Sequence, residues 1–429
     1  MTIQQLYCIY ESHPDVTTDS RKTPSGSIFF ALKGEKSDGN AYAHQALERG
    51  CAYAVVDDPS VVRDDRYILV DDVLSTLQQL ASYHRISWGR PVIGITGTNG
   101  KTTTKELLSA VLSRKYRLWH TQGNFNNHIG VPLTLLSIRP EHEMAVIEMG
   151  ANHPGEIKTL VNVVSPNAGL ITNVGKAHLE GFGSFEGVIR TKCELYDFLR
   201  ETGGQVFINL DNEILTPRSK GISSVGYGIE QKDGLVYGEV TSNSPFLSLR
   251  FHLLDGTSWD VQTNLVGVYN AENVMAAVCV GVFFGVSASD IRDALQGYVP
   301  TNNRSQFTQT ASNRLIIDAY NANPTSMTAS IRNFADVSME NKTLILGEMR
   351  ELGSDSLTEH QRIIDLCLSY GLTDVYLVGA SFKSVSTDFM RFSDVDELIR
   401  YVRQHSFSDR SILIKGSNGN HLDRIVQWL

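Results

Sequence analysis

The stretch VIGITGTNGKTTTKELLSAVL, residues 92–112, decides how this chain is read. Residues 92–96 read as a buried strand, and a helix is expected from about 101 to 114. Glycine, lysine and threonine fill the junction between them. Backbone N–H groups in such a turn, together with the N-terminus of the next helix, favour phosphate oxygens. Lys101 adds a mobile positive charge, and the Thr102 hydroxyl is placed for Mg²⁺. The common phosphate-loop pattern has a glycine where Ile95 stands here. That departure shortens the loop but leaves its Gly-Lys-Thr end intact, so a phosphate cradle is favoured over an ordinary strand–helix turn.

Working outward, two further apolar runs end in polar residues. Glu148 closes MAVIEMG, and Asn173 and His178 follow the run in LITNVGKAHLEGFGS. Ligands of open α/β sheets bind at the carboxyl ends of the strands, so these residues fall beside the phosphate loop. A hard Mg²⁺ prefers oxygen, which makes Glu148 a natural ligand and His178 a less usual one. Lys192, in SFEGVIRTKCELYDFL, lies at helical spacing on the apolar face set by Phe185, Ile189, Tyr196 and Leu199. Spacing alone favours a lysine whose head reaches water over a desolvated amine of lowered pKa.

Asn270 and Asn273, in GVYNAENVMAAV, either read a base edge or cap the helix that follows; spacing leaves both open. Arg304 and Asp318 could clamp phosphate and ribose across a cleft. GNFNNHIGVPLTLL, with Asn126 and Asn127, and DAYNANPTSM, with Asn321 and Asn323, suggest sites for polar, uncharged groups.

The chain has 429 residues, too long for one core. Strand–helix alternation predicts three α/β units, divided as 1–86, 87–300 and 301–429. The first carries helical stretches near 43–50 and 72–86. The second holds the phosphate loop on a parallel sheet, with an added layer of antiparallel strands over 205–266 and a buried helix over 271–285. YVPTNNRSQF reads as a linker, and the last unit repeats strand-then-helix four times in a doubly wound, Rossmann-like pattern. Hydrophobic residues make up 41% and charged residues 20%, ordinary for a globular protein, and the net charge of −9 argues against a nucleic-acid partner. Five scattered cysteines with no CxxC pair fit free thiols in a reducing compartment. No signal peptide is visible, and the longest apolar run, 274–286, is too short to span a bilayer. A cytoplasmic location follows as the expectation.

Together these stretches resemble the Mur ligases, and within that family most closely the branch that joins D-alanyl-D-alanine to UDP-N-acetylmuramoyl-tripeptide. The loop Thr96–Thr102 follows the family pattern T-G-[TS]-N-G-K-[TS], and folylpolyglutamate synthases share a similar loop. GNFNNHIGVPLTLL, IEMGANHPGEI, ITNVGKAHLEGFGS, DAYNANPTSM and LGEMRELG narrow the resemblance to that branch. TTDSRKTPSGSIFFALKGEKSDGNAYA looks like its UDP-binding segment.

The resemblance implies ATP and two Mg²⁺ ions as cofactors, the UDP-linked tripeptide and D-alanyl-D-alanine as substrates, and a monomer. It implies ATP contacts at Thr98, Asn99, Gly100, Lys101, Thr102, Thr103, Tyr269, Asn270, Asn273, Arg304 and Asp318. Thr102, Glu148, His178 and Lys192, the last as a carbamate, become magnesium-site residues, and Lys101, Glu148, His178 and Lys192 the catalytic set. Ser20, Arg21, Asn126, Asn127, Asn321 and Asn323 fall on the substrate side. Three positions depart from the pattern: Tyr269 where histidine is frequent, SDGNAYA around Asn40, and Asn418 where arginine is expected after K-G-S. Rival readings are a different amide ligase of the superfamily, a nucleotide-dependent switch or transport ATPase, and an inactive UDP-peptide-binding relative.

Overall fold

The computed structural model describes residues 1–35 and 37–429. The chain builds three α/β units, each around its own main sheet. The N-terminal sheet has four parallel strands, Val16–Thr17, Ile28–Phe30, Tyr53–Val56 and Tyr67–Leu69, in that order. Its side chains alternate between two cores. Phe30, Val55 and Ile68 face the helices Ile3–Ser12 and Val73–Trp88, whereas Phe29, Ala54, Val56 and Tyr67 face Ala43–Glu48.

Val73–Trp88 ties this unit to the next. Asp72 caps it by accepting from Ser75 N at 2.6 Å, and Gly89 ends it at φ +66°. The helix runs two residues past the expected limit of 86, and its last turn lies against the central unit through Arg85. Arg85 is buried and donates to the carbonyls of Val164 and Ser165 and to Asn167 Oδ1, at 3.0, 3.0 and 2.7 Å.

The central sheet has nine strands. Val92–Thr96 lies in its interior, between Met144–Glu148 on one side and Ala168–Ile171 on the other, with parallel pairing throughout. The expectation of an antiparallel layer over 205–266 is corrected in part. Gln205–Asn209 and Ser223–Gly228 extend the sheet in parallel, and only Val236–Asn243, Leu247–Leu253 and Ser258–Gln262 form the antiparallel edge. Burial explains the difference. Val206 and Ile208 face one core and Phe207 the other, so Gln205–Asn209 is covered on both faces, as parallel strands are. Helix Ala271–Phe283 is buried nearly all round, packed between the sheet and the helix Lys101–Leu112.

The C-terminal sheet has six strands in the order Gln306–Gln309, Arg314–Asp318, Ser411–Lys415, Lys342–Gly347, Val375–Val378 and Met390–Phe392. Gln306–Gln309 pairs antiparallel with its neighbour, so the stretch read as a linker ends inside the sheet. The other pairings are parallel. The fourth strand–helix repeat closes in short 3₁₀ turns, Asn418–Asn420 and Leu422–Trp428, rather than an α-helix. Among the described residues no helix is long and apolar enough to cross a membrane.

Candidate active site

The glycine question resolves in the backbone. Ile95 is inside the buried strand Val92–Thr96, where nothing requires glycine. Gly97 and Gly100 hold the positions that do. Gly97 has φ +146°, and a Cβ there would meet Thr172 Oγ1 at 2.0 Å. Gly100 has φ +79°, and a Cβ there would meet Asn273 Oδ1 at 2.6 Å.

Asn173 pins the loop between them. Its carbonyl accepts from Thr98 N at 2.9 Å, its Oδ1 from Asn99 N at 3.0 Å, and its Nδ2 donates to the Asn99 carbonyl at 3.1 Å. Those two loop N–H groups are therefore occupied. The donors available to an anion include those of the first turn of Lys101–Leu112, which no side chain caps. Lys101 folds over the loop, its Nζ donating to the carbonyls of Gly97 and Thr98 at 2.8 and 3.0 Å. The residue is partly open to the cavity but its ammonium is enclosed, and this burial lowers its pKa to about 8 against the opposing pull of Glu148.

On the adjoining strand, Glu148 is buried. Its Oε1 accepts from Thr102 Oγ1 at 3.2 Å and Asn126 Nδ2 at 2.8 Å, while Oε2 is buried without a partner among the described residues. An unpaired carboxylate oxygen beside a threonine hydroxyl suits a hard divalent cation. No cluster of three or more acidic, histidine or cysteine side chains is preassembled among the described residues.

His178 follows the strand on the other side, at φ +49°. Its Nδ1 pairs with the Glu351 carboxylate from the C-terminal unit. Burial lowers the His178 pKa, and Glu351 opposes that shift. Lys192 is 2% exposed, which overturns the solvent-reaching side chain that spacing favours. Its Nζ donates to the Ala151 carbonyl at 3.2 Å and lies 5.3 Å from the centre of the Phe182 ring. Burial, and then Lys101, press its pKa well below the usual lysine range.

A cavity of ≈ 700 Å³ opens across the loop, Glu148 and His178 and is walled by the central and C-terminal units, while Lys192 lies outside its lining. It brings together Thr98 to Thr103, Asn126, Asn127, Glu148, His178, Tyr269, Asn270, Asn273, Arg304, Asp318 and Asn321. Asn270, the residue before helix Ala271–Phe283, makes no side-chain cap to it, and Asn273 lies inside its first turn. Asn270 Nδ2 donates to the Val266 carbonyl at 2.9 Å and Ser305 Oγ at 3.2 Å, and Asn273 Nδ2 donates to Asn270 Oδ1 at 3.0 Å. Tyr269 bonds Ser305 Oγ at 3.0 Å. The Arg304 guanidinium lies 3.8 Å from the centre of the Tyr320 ring.

Other expected residues stand elsewhere or do more than expected. Asn127 caps the turn into Gly130–Leu136, accepting from Gly130 N at 2.8 Å. Asn323 caps Pro324–Asp336 and donates to Asn99 Oδ1 at 2.7 Å, joining the C-terminal unit to the phosphate loop. Ser20 and Arg21 are not brought to the cavity; Arg21 is exposed and paired with Asp19 at 2.9 Å. Asn40 is buried and braces Asp57, donating to its Oδ1 at 2.7 Å. Asn418 donates its backbone N–H to the Tyr320 carbonyl at 3.0 Å. Lys415 and Tyr320 line the cavity without having been expected there. The signal for Lys415 was a cation closing the apolar strand SILIK.

Comparison with known proteins places the chain in one family. Family profiles match three consecutive parts: Mur ligase family, catalytic domain, over 15–85; Mur ligase middle domain over 95–281; and Mur ligase, glutamate ligase domain, over 303–418. The chain is 36% identical to the UDP-N-acetylmuramoyl-tripeptide–D-alanyl-D-alanine ligase of Bacillus subtilis, covering 96% of this chain and 92% of that protein. It is 33% identical to the enzyme of that name from Escherichia coli, covering 96% and 93%. Among solved structures, MurF from Acinetobacter baumannii superposes with a TM-score of 0.87 at 32% identity, covering 99% of this chain and 98% of that one. MurF ligase from Thermotoga maritima in complex with ADP superposes with a TM-score of 0.86 at 25% identity, covering 96% of each. With that agreement along nearly its whole length, the chain belongs to the Mur ligase family.

Proposed function

We propose that this chain is the ATP-dependent ligase that joins D-alanyl-D-alanine to UDP-N-acetylmuramoyl-tripeptide, releasing ADP and phosphate in peptidoglycan precursor synthesis in the cytoplasm. The observation that carries the reading is the single cavity in which the phosphate loop, Glu148, His178, Arg304 and Asp318 converge between two units. A carboxylate does not condense with an amine in water because oxide is a poor leaving group. Transfer of the γ-phosphoryl of ATP to the terminal carboxylate of the tripeptide gives an acyl phosphate. The dipeptide amine attacks that carbonyl, and the tetrahedral intermediate expels phosphate as the C–N bond is kept.

The residues divide this work. Lys101 and the uncapped helix turn behind it stabilise charge on the transferring phosphoryl. Asn270, Asn273 and Tyr269 hold the base, and Arg304 and Asp318 the phosphate and ribose. Asn126, Asn127 and Asn321 serve the peptide substrates, Asn323 holds the phosphate loop against the C-terminal unit, and Ser20 and Arg21 serve the uridine nucleotide. Thr102, Glu148, His178 and a carbamylated Lys192 would hold Mg²⁺, two ions in all, and these when bound supply charge neutralisation between the two reacting anions. Lys192 is suited to that modification because a neutral amine adds CO₂ and releases a proton, and burial favours the neutral amine. The division into 1–86, 87–300 and 301–429 belongs to the same reading: the first unit takes the UDP-linked substrate, the second ATP, and the third completes the ligase site as the cavity closes against water.

Phosphate release tests this reading. It is expected only when ATP, Mg²⁺, UDP-N-acetylmuramoyl-tripeptide and D-alanyl-D-alanine are all present. Equal release with folate and glutamate in place of the last two would transfer the chain to the other branch of amide ligases.

A further inference from the structure

Lys415 ends the strand Ser411–Lys415 in the interior of the C-terminal sheet and is 1% exposed. It sits in register with Asp318 on the adjoining strand. Its Nζ donates to Asp318 Oδ2 at 2.7 Å and to the Asn321 carbonyl at 3.1 Å. Both Lys415 and Asp318 reach the cavity wall. Among the described residues no other donor reaches the Asp318 carboxylate, which leaves Oδ1 free.

The segment between Asp318 and Asn323 is tied down from several sides. Ala319 N donates to the Asn303 carbonyl at 3.0 Å, Asn418 N to the Tyr320 carbonyl at 3.0 Å, and Asn323 bonds Asn99 of the phosphate loop. Lys415 is the charged tie in this set, and it holds the acidic side chain and the backbone three residues on at once.

We propose that Lys415 is the positioning residue for nucleotide ribose: it engages one oxygen of Asp318 and thereby aims the other at the ribose hydroxyls. This rests on the reading of the cavity as an ATP site. A carboxylate on a short side chain can turn its two oxygens about the Cβ–Cγ bond. A buried ammonium on Oδ2 selects one orientation and keeps it before nucleotide arrives, so the hydrogen bond to a sugar hydroxyl requires no reorientation on binding. A lysine that merely filled the sheet interior would affect all nucleotides alike. A lysine that aims Asp318 affects those carrying ribose hydroxyls.

Equilibrium binding of ADP and 2′,3′-dideoxy-ADP to the full chain separates the two roles. The wild-type protein is expected to prefer ADP by about tenfold or more, the range of a hydrogen bond to a charged group. Lys415→Met is expected to bring the ratio to within about twofold of unity, and Lys415→Arg to restore part of it. Because Lys415→Met leaves the half-buried Asp318 without its cation, circular dichroism monitors folding, and Asp318→Asn/Lys415→Met carries the comparison with a neutral pair. That double variant is expected to show the ratio of Lys415→Met alone. An undiminished preference for ADP in a folded Lys415→Met protein, with both nucleotides weakened equally, would overturn the proposal. Wild-type protein that binds both nucleotides equally also overturns it while leaving the ATP site standing, whereas wild-type protein that binds neither removes the ATP site itself.

Discussion

Lys101 carries an enclosed ammonium whose pKa is lowered to about 8, and the sign of its effect on stability follows. Below about pH 8 the lysine is protonated folded and unfolded, and the full penalty of burying the charge is present. Between about 8 and the ordinary lysine value near ~10.4, the unfolded chain binds a proton that the folded chain has released, so stability rises with pH. Lys101→Met is therefore expected to be more stable than wild type in the absence of nucleotide at pH 7, by roughly 1–3 kcal/mol after allowance for the open cavity. The difference should shrink as pH rises from 8 towards 10, followed by thermal unfolding of both proteins across that range. A difference that does not change with pH would contradict the enclosed ammonium. Lys192 shows what sequence does and does not reveal at this scale. Helical spacing placed it on the apolar face, but its depth is set by Phe182 and Ala151, which come from other segments and leave no trace in the local pattern. The partnership of His178 with Glu351 was invisible for the same reason, since 173 residues separate the two.

The junction of strand and helix at 96–101 was legible as an element because its needs are local: backbone donors, a positive φ at two glycines, a lysine and a hydroxyl. Which glycine matters most was not legible. The Cβ contact with Thr172 depends on a neighbouring strand, and it singles out Gly97 over the missing glycine at Ile95. Gly97→Ala is expected to weaken ADP binding at least about tenfold and to lower the thermal midpoint, because the loop must shift to relieve both the overlap and the backbone strain. Unchanged binding, measured by titration calorimetry, would show that the loop tolerates the shift. Strand direction over 205–228 was misread because apolar runs of this length carry no signal of their partners. Direction emerged only from the helices that cover both faces.

At the scale of the whole molecule, the site is assembled by contacts that cross between units. Asn99 meets Asn323, His178 meets Glu351, and Lys176 Nζ pairs with the buried Glu359 carboxylate at 3.2 Å. The loop from Asn173 to Phe182 thus touches the phosphate loop at one end and the C-terminal unit beyond it. Three α/β units could be read from the alternation of strands and helices, and the family from quoted stretches such as EMGANHPGEI and YNANP. The cavity between units could not be read, because it exists only once distant loops are packed. Under the proposed function, the phosphate loop serves to activate a carboxylate. Tripeptide substrate labelled with ¹⁸O in its terminal carboxylate tests it most directly, by mass spectrometry of the phosphate released during ligation to D-alanyl-D-alanine. Transfer of one ¹⁸O atom from the carboxylate to phosphate is the predicted result; phosphate free of label, with the amide formed, would contradict an acyl phosphate and the reading built on it.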